Sequence, residues 1–343
     1  MSRPIKFAIL GFGHIGRRHA CMILQNSNSE LVAICDVLPK NQLDLESFNS
    51  IPFFKNIDEL IQSDLSFDVV CVCTPNGLHA DQSIKILDRG FHVVCEKPMA
   101  LSKKECEAVI LKSKEVSKHV FCVMQNRYSP PSIWLKDIVK KNILGEIYFV
   151  QVNCFWNRDE RYYNNSSWRG TNELDGGTLF TQFSHFIDTI YWVFGDINVN
   201  SAIFKDFNHK NLTNFEDTGV VNFDFKNGGI GTLNYSTSVW NENLESSITI
   251  LAENGSIKIG GQYMDKVLEC TIKNYKMPKL APINEPNDYG SYKGSAANHQ
   301  YVIENVVDTL NDHDQITTKS HEGLKVVEII ERIYKFKNSN NDC

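Results

Sequence analysis

The 343-residue sequence is short of positive charge: 35 Lys and Arg stand against 41 Asp and Glu, for a formal net charge of −6. Chains that hold nucleic acid or anionic membrane through their overall field carry the opposite excess, which argues against both partners. A local basic pocket for an anionic metabolite stays open to it. No apolar run approaches the roughly 18 residues of a membrane span. The start, Ser2-Arg3-Pro4 and then Ile5-Lys6-Phe7-Ala8-Ile9-Leu10, meets glycine too soon for an export signal, so a cytoplasmic protein is expected. The ten cysteines form no C-x-x-C pair and no Cys/His cluster at zinc spacing, so no metal is expected. Several sit in apolar runs, as in Val70-Cys71-Val72-Cys73, and read as reduced, buried thiols. Internal repeats and low-complexity tracts are also lacking.

What is present is an ordinary globular balance, 42% hydrophobic and 22% charged, at a length that accommodates two domains. Lys6-Phe7-Ala8-Ile9-Leu10 predicts a strand, Arg17 to Leu24 a helix, and between them lies Gly11-Phe12-Gly13-His14-Ile15-Gly16. In a G-x-G-x-x-G of this kind the first glycine makes a tight turn, and the second lets backbone approach a pyrophosphate. The third lets helix pack on strand. The helix N-terminus then offers N–H groups and the positive dipole end to the phosphates. The next strand, Leu31 to Cys35, ends in Asp36, 36 − 16 = 20 positions after Gly16, where an acid binds the adenosine ribose hydroxyls. A carboxylate there repels a 2′-phosphate and no Arg follows directly, which favours NAD over NADP.

The strand-helix alternation continues through Phe67 to Cys73 and Phe91 to Cys95, then Val120 to Met124. It predicts a doubly wound parallel sheet, an α/β Rossmann domain, over residues 1–125. Ser102 and Glu105 have the capping-box spacing. Ligands of such sheets bind beyond the carboxyl ends of the strands. Thr74-Pro75-Asn76 and Glu96-Lys97-Pro98 fall at such ends, where the nicotinamide end belongs. A surface lysine in a βα loop satisfies the same pattern for Lys97. His79 and His92 read as helix-surface and strand-start residues.

After Gln125-Asn126-Arg127 the grammar changes. A helix at about 132–141 leads to a long strand from Ile147 to Trp156. Further strands, at about 198–208 and from Thr218, Gly231, Ser247 and Ser256, follow without intervening helices. Lys226-Asn227-Gly228-Gly229 and Glu253-Asn254-Gly255 are hairpin signals. Residues 126–343 are expected to form an α+β domain with a large, mainly antiparallel sheet, suited also to oligomer contacts. An irregular loop is expected over 276–298 and a helix over about 322–335, capped by Ser320. Two stretches carry chemistry. Arg158, Arg161, Tyr162, Tyr163, Trp168 and Arg169 crowd one polar loop, where arginine forks suit phosphates and carboxylates and aromatic faces suit rings. Asp175-Gly176-Gly177 is expected to open a helix to about Phe194, with Thr178, Gln182 and His185 sharing a face.

Taken together, Gly11-x-Gly13-x-x-Gly16, Glu96-Lys97-Pro98 and Gly176-Gly177 leading to His185-x-x-Asp188 make the chain resemble the glucose–fructose oxidoreductase / inositol dehydrogenase (Gfo/Idh/MocA) family, over essentially its whole length. Within it, Gln125-Asn126-Arg127, Asn153-x-Phe155-Trp156-x-Arg158, Tyr162-Tyr163, Trp168-Arg169-Gly170-Thr171 and Gln182-x-Ser184-His185 look most like the bacterial UDP-N-acetylglucosaminuronate 3-dehydrogenases of surface-polysaccharide synthesis. The resemblance implies NAD-dependent oxidation of a sugar 3-hydroxyl, in some members with bound NADH recycled by 2-oxoglutarate, and a homodimer or homotetramer built through the second sheet. It implies Lys97 and His185 as the catalytic pair. Cofactor contacts are implied from Gly11, Gly13, His14, Ile15, Gly16, Asp36, Thr74, Pro75, Asn76, His79, Glu96, Lys97 and Gln125. The UDP-sugar acid is assigned to Lys97, Asn126, Arg127, Arg158, Tyr163, Trp168, Arg169, Gln182 and His185. Another sugar or cyclitol dehydrogenase, or a non-catalytic NAD-binding regulator, shares the first-domain motifs. One departure stands out. Many relatives carry Asp or Asn four residues before the histidine, whereas this chain has Thr181, which weakens an Asp–His relay.

Overall fold

The computed structural model describes residues 3–284, 286–288 and 293–339. They form two compact units. Met1–Met124 and His299–Val327 make the first; Gln125–Asn298 and Glu328–Cys343 make the second.

In the first unit the apolar runs become strands: β1 (Ile5–Leu10), β2 (Ser29–Cys35), β3 (Phe53–Phe54), β4 (Val69–Val72), β5 (His92–Cys95) and β6 (Val120–Cys122). Their order is β3-β2-β1-β4-β5-β6 and every pairing is parallel. All of β4 is buried, so its sequence shows no polar alternation. Chain order reverses between β1 and β4, the switch point at which sheets of this type hold ligands. Four helices alternate with these strands: α1 (His14–Gln25), α2 (Ile57–Gln62), α3 (His79–Asp88) and α4 (Lys103–Glu115). The α4 cap is as the sequence predicts, with Ser102 Oγ accepting the Glu105 N–H at 3.2 Å. The expected boundary lies at 125/126 and the chain leaves the unit after Met124. Residues 299–327 then return to it: a helix at His299–Leu310 packs on α1, and Lys319 bridges to Phe121. No change of sequence grammar announces this return.

The second unit contains α5 (Pro130–Lys140), α6 (Glu160–Tyr163), α7 (Thr178–Thr181) and α8 (Ser184–Phe194). Its strands are β7 (Ile147–Phe155), β8 (Ile197–Lys205), β9 (Thr218–Phe225), β10 (Ile230–Ser236), β11 (Glu245–Ala252), β12 (Gly255–Gly260) and β13 (Lys266–Ile272). They form one sheet in the order β13-β12-β11-β7-β10-β9-β8, antiparallel except where β7 meets β10. Burial alternates along β9 and β10, as expected where one face carries the core.

The structure differs from expectation in several places. The helix expected from the diglycine onward is two helices, α7 and α8. Phe183 leaves helical angles (φ −117, ψ 7), and its ring packs on those of Trp156 and Tyr235. Strand β13 was not anticipated. The stretch expected as loop, 276–298, holds a short antiparallel pair, β14 (Pro286–Asp288) with β15 (Lys293–Ala296); its residues 285 and 289–292 lie outside the described set, as does Cys343. Ser320 is the first residue of the last helix rather than its cap. The closing helices are α9 (His299–Leu310) and α10 (Ser320–Ser339). Among the described residues no helix is long and apolar enough to cross a membrane.

Candidate active site

The three glycines of the first loop differ in what a side chain would meet. Gly11 has φ +89, and a Cβ there would stand 2.8 Å from the Cys73 backbone. At Gly16 a Cβ would stand 1.9 Å from the Gly11 carbonyl oxygen, so α1 packs directly on the turn. At Gly13 nothing lies within 4 Å. Two glycines therefore close the turn and the third keeps room beside the first N–H groups of α1, as a pyrophosphate requires. Asp36 is fixed beside this loop, its oxygens accepting the N–H groups of Phe12 (2.6 Å) and Leu38 (2.8 Å). NAD fits these residues: room for the phosphates and a carboxylate for the ribose. His14 is exposed and Ile15 half-buried on the same turn; the His14 ring accepts from Arg17 at 3.1 Å.

Strands β4 and β5 end side by side. Thr74 Oγ1 donates to Gln82 Oε1 at 2.5 Å, and Asn76 is buried. His79, expected on a helix surface and at the cofactor, is buried instead. Its ring nitrogens lie 2.7 Å from the Pro98 carbonyl and 2.8 Å from that of Thr74, tying the two strand-end loops together. Burial lowers its pKa despite both carbonyls, so the neutral ring serves one acceptor at a time. Glu96, also expected at the cofactor, points into the protein. Its Oε1 lies 2.8 Å from His19 Nε2 and 3.6 Å from His299 Nε2, and its Oε2 accepts the Lys97 N–H at 3.2 Å. Burial opposes its charge, but His19 and His299 outweigh that and hold the carboxyl well below its usual range. From Glu96 to Ala100 only Lys97 is not buried, and the Lys97–Pro98 peptide is cis.

In the second unit, Gln125, Asn126 and Arg127 lie buried in one short turn. The Gln125 amide nitrogen is 3.0 Å from His185 Nε2. Asn126 Oδ1 is buried with no hydrogen-bond partner among the described residues. Arg127, expected at the substrate, is committed elsewhere: its Nε and Nη2 donate to Asp188 at 2.8 and 2.6 Å, with both side chains fully enclosed. This bidentate pair holds the turn on α8, within a helical turn of His185.

The arginine-rich loop condenses around Tyr162, which the substrate assignment passed over for Tyr163. The Arg158 guanidinium stands 4.8 Å from the Trp156 ring centre and 5.2 Å from that of Tyr162. Arg169 stands 4.1 Å from Tyr162 and 5.7 Å from Trp168. Gln182 joins them, accepting from Arg158 Nε at 2.8 Å and donating to the Tyr162 hydroxyl at 2.9 Å. Tyr163, the expected substrate contact, turns instead to His209, 5.4 Å between ring centres, and burial raises its phenol pKa well above the ordinary value. Asn243 was also missed; from the β10–β11 loop it accepts from Arg158 Nη1 at 3.1 Å. That loop is tied down through Asn157 to Val239 O (2.7 Å) and Arg161 to Asn241 O (2.8 Å), yet presents Trp240 at 91% exposure. Only long-range pairing brings these residues to Arg158, so local spacing gave no signal.

The Asp175-Gly176-Gly177 stretch is architecture. A Cβ on Gly177 (φ +130) would stand 2.6 Å from the Tyr334 hydroxyl, which accepts the Leu179 N–H and donates to Glu216. Thr178 donates to the Glu216 carbonyl rather than sharing a face with Gln182 and His185. The Thr181 hydroxyl goes to Asp175, whose other oxygen accepts the Gly170 N–H at 2.7 Å. Thr181 thus braces the arginine loop.

Comparison with known proteins bears on this geometry. Residues 5–124 match the oxidoreductase family with an NAD-binding Rossmann fold, and residues 133–258 match the GFO/IDH/MocA C-terminal domain. A WlbA dehydrogenase from Bordetella pertussis, solved with NADH and UDP-GlcNAcA, is 29% identical with a TM-score of 0.86, covering 98% of each chain. Its counterpart from Chromobacterium violaceum, solved with the same two molecules, is 31% identical with a TM-score of 0.85, covering 99% of this chain and 95% of that one. Glucose-6-phosphate 3-dehydrogenase of Bacillus subtilis is 26% identical over 98% of this chain and 97% of its own.

Proposed function

This chain belongs to the Gfo/Idh/MocA family of NAD-dependent dehydrogenases acting on sugar hydroxyls, and from that premise we propose that it oxidises the 3-hydroxyl of a UDP-linked N-acetylglucosaminuronic acid to the 3-keto sugar. The observation that carries the proposal is the cluster of Arg158, Arg169, Tyr162, Trp168 and Gln182. Two guanidinium groups on an aromatic bed, with an amide between, suit a ligand that joins several negative charges to flat rings. Two neighbours of similar length, described with NADH and UDP-GlcNAcA, support the same reading.

Oxidation of a secondary alcohol removes a hydride from carbon and a proton from oxygen. Bound NAD supplies the hydride acceptor. His185 receives the proton on Nε2, the nitrogen that stands 3.0 Å from the Gln125 amide. Lys97 hydrogen-bonds the hydroxyl and stabilises the developing negative charge on its oxygen. Arg158 and Arg169 take the diphosphate and carboxylate, and Asn126 Oδ1 serves a sugar hydroxyl. Recycling of NADH by 2-oxoglutarate and a homo-oligomer through the second sheet belong to the same proposal. Absorbance at the reduced-nicotinamide band, read on purified protein before and after 2-oxoglutarate, tests the recycling: a band that persists rejects it. The Bacillus subtilis relative supports a second reading, a sugar monophosphate oxidised at the same carbon. Assay of both substrates under one condition separates the two.

A further inference from the structure

Lys97 is the one unburied residue of a strand end whose neighbours are all enclosed, and three buried histidines from three different helices converge on those neighbours. His19 of α1 and His299 at the start of α9 approach the same oxygen of Glu96, the residue before Lys97. His79 of α3 reaches the carbonyl of Pro98, the residue after it, and that of Thr74 on the adjoining loop. The second Glu96 oxygen accepts the Lys97 N–H, so the carboxylate is joined to the lysine backbone itself.

We propose that His19, His79 and His299, acting through Glu96 and Pro98, are positioning residues that set where Lys97 presents its ammonium group. The proposal rests on the catalytic reading of Lys97 given above. Its physical basis is the cost of leaving a buried carboxylate without donors, which keeps Glu96 from leaving its histidines and holds the backbone that it grips. Because His19 lies on the helix whose first turn is the glycine loop, the phosphate-binding helix and the lysine share one rigid connection. Because His299 comes from the segment that rejoins the first unit, that return has a function beyond packing.

His19, Glu96 and His299 lie close enough for a metal ion, their ligand atoms all within 4.8 Å of one another. The distances favour a clamp in which His19 hydrogen-bonds Glu96 and His299 Nε2, at 3.6 Å, stands against the same oxygen without a hydrogen bond. Ligands held at about 2.1 Å around a tetrahedral zinc stand roughly 3.4 Å apart, whereas His19 Nε2 and Glu96 Oε1 are 2.8 Å apart. The Nδ1 atoms of His19 and His299 also lack the outer partners that metal-bound histidines keep.

The test compares His19→Ala, His19→Gln, His299→Ala and Glu96→Gln with Lys97→Ala, reading kcat, KM, the NAD dissociation constant, and the pH midpoint of reductive methylation at Lys97 in protein free of cofactor. The clamp predicts that the alanine variants lose about tenfold or more in kcat. It predicts NAD affinity and KM within about threefold of the parent, with partial rescue in His19→Gln, whose amide can still donate. It also predicts a lower Lys97 midpoint in Glu96→Gln, because a nearby anion has gone. If the alanine variants do not fold, Glu96→Gln carries the test alone, since it keeps shape and removes charge. Unchanged kcat and unchanged midpoint in the folded variants overturn the clamp. Full turnover in Lys97→Ala instead overturns the catalytic reading, a separate failure. Loss of bound zinc in Glu96→Gln together with an unchanged midpoint would replace the clamp by a metal site.

Discussion

The two units hold their functional groups by opposite means. The first works mainly with backbone: glycines that close a turn and one carboxylate pinned by two N–H groups, with a single buried histidine–carboxylate cluster behind the strand end. The second works with side chains drawn from the β7–α6 loop, α6, the loop after it, the α7–α8 turn and the β10–β11 loop, held by stacking and side-chain hydrogen bonds. A ligand site of the first kind tolerates few changes and keeps one purpose. A site of the second kind can alter its ligand one side chain at a time, which suits a family whose members share a cofactor and differ in sugar.

The contrast can be broken by mutation, and the largest effects belong to chemistry. Lys97→Ala and His185→Ala are each expected to lower kcat by about 10³-fold or more while NAD still binds, since each removes electrostatic or proton-transfer help at the reacting hydroxyl. Near-normal kcat in both variants would remove the pair from the mechanism. Arg127→Ala should cost about 3 to 5 kcal/mol of stability by leaving Asp188 buried and unpaired. Chemical denaturation measures this, and an unchanged midpoint would show that the pair does not hold the turn on α8. Gly16→Ala should abolish measurable NAD binding in a fluorescence titration, because its Cβ has no room against Gly11. Retained affinity would contradict the backbone account of the first unit. Arg169→Ala should be milder, raising KM for the UDP-sugar acid about tenfold, the scale of one charged hydrogen bond. If KM does not move, the arginine cluster is not the anion site.

The smallest effect is with pH. Burial lowers the pKa of His79 and His299, and takes His92 down to about 4. Between an unfolded value near 6.5 and the lower folded values, the unfolded chain binds more protons. Stability therefore rises with pH across that window and falls on acidification through it. Below it, protonation of Glu96, whose folded pKa is depressed, removes further stability. Thermal unfolding at pH 7.5 and pH 5 should show the loss in the first unit; a pH-independent transition would deny the burial argument.

The same contrast explains what could be read from sequence. Gly11, Gly13, Gly16 and Asp36 were legible because a backbone turn imposes residue types at fixed spacing. Most strands of both sheets were legible through continuous or alternating apolar runs; the two-residue β3 and the largely exposed β13, at sheet edges, carry no such run. Tyr162 was passed over for its neighbour because α6 points adjacent rings to different partners, and chain order says nothing about which. Arg127 was assigned to ligand because an arginine next to Gln125 and Asn126 gives no hint that Asp188 already occupies it. His19 and His299 were invisible as a pair, since 280 positions separate residues that meet on one carboxylate.

The central claim is the substrate. Purified protein should be assayed with NAD against UDP-N-acetylglucosaminuronic acid, the same sugar acid without UDP, and glucose 6-phosphate, with the keto product located by NMR. The account predicts a kcat/KM for the UDP-linked acid at least about 10²-fold above the other two, a difference of about 2.7 kcal/mol, with the carbonyl at C3. Equal rates with and without UDP, or turnover confined to the sugar phosphate, would contradict it.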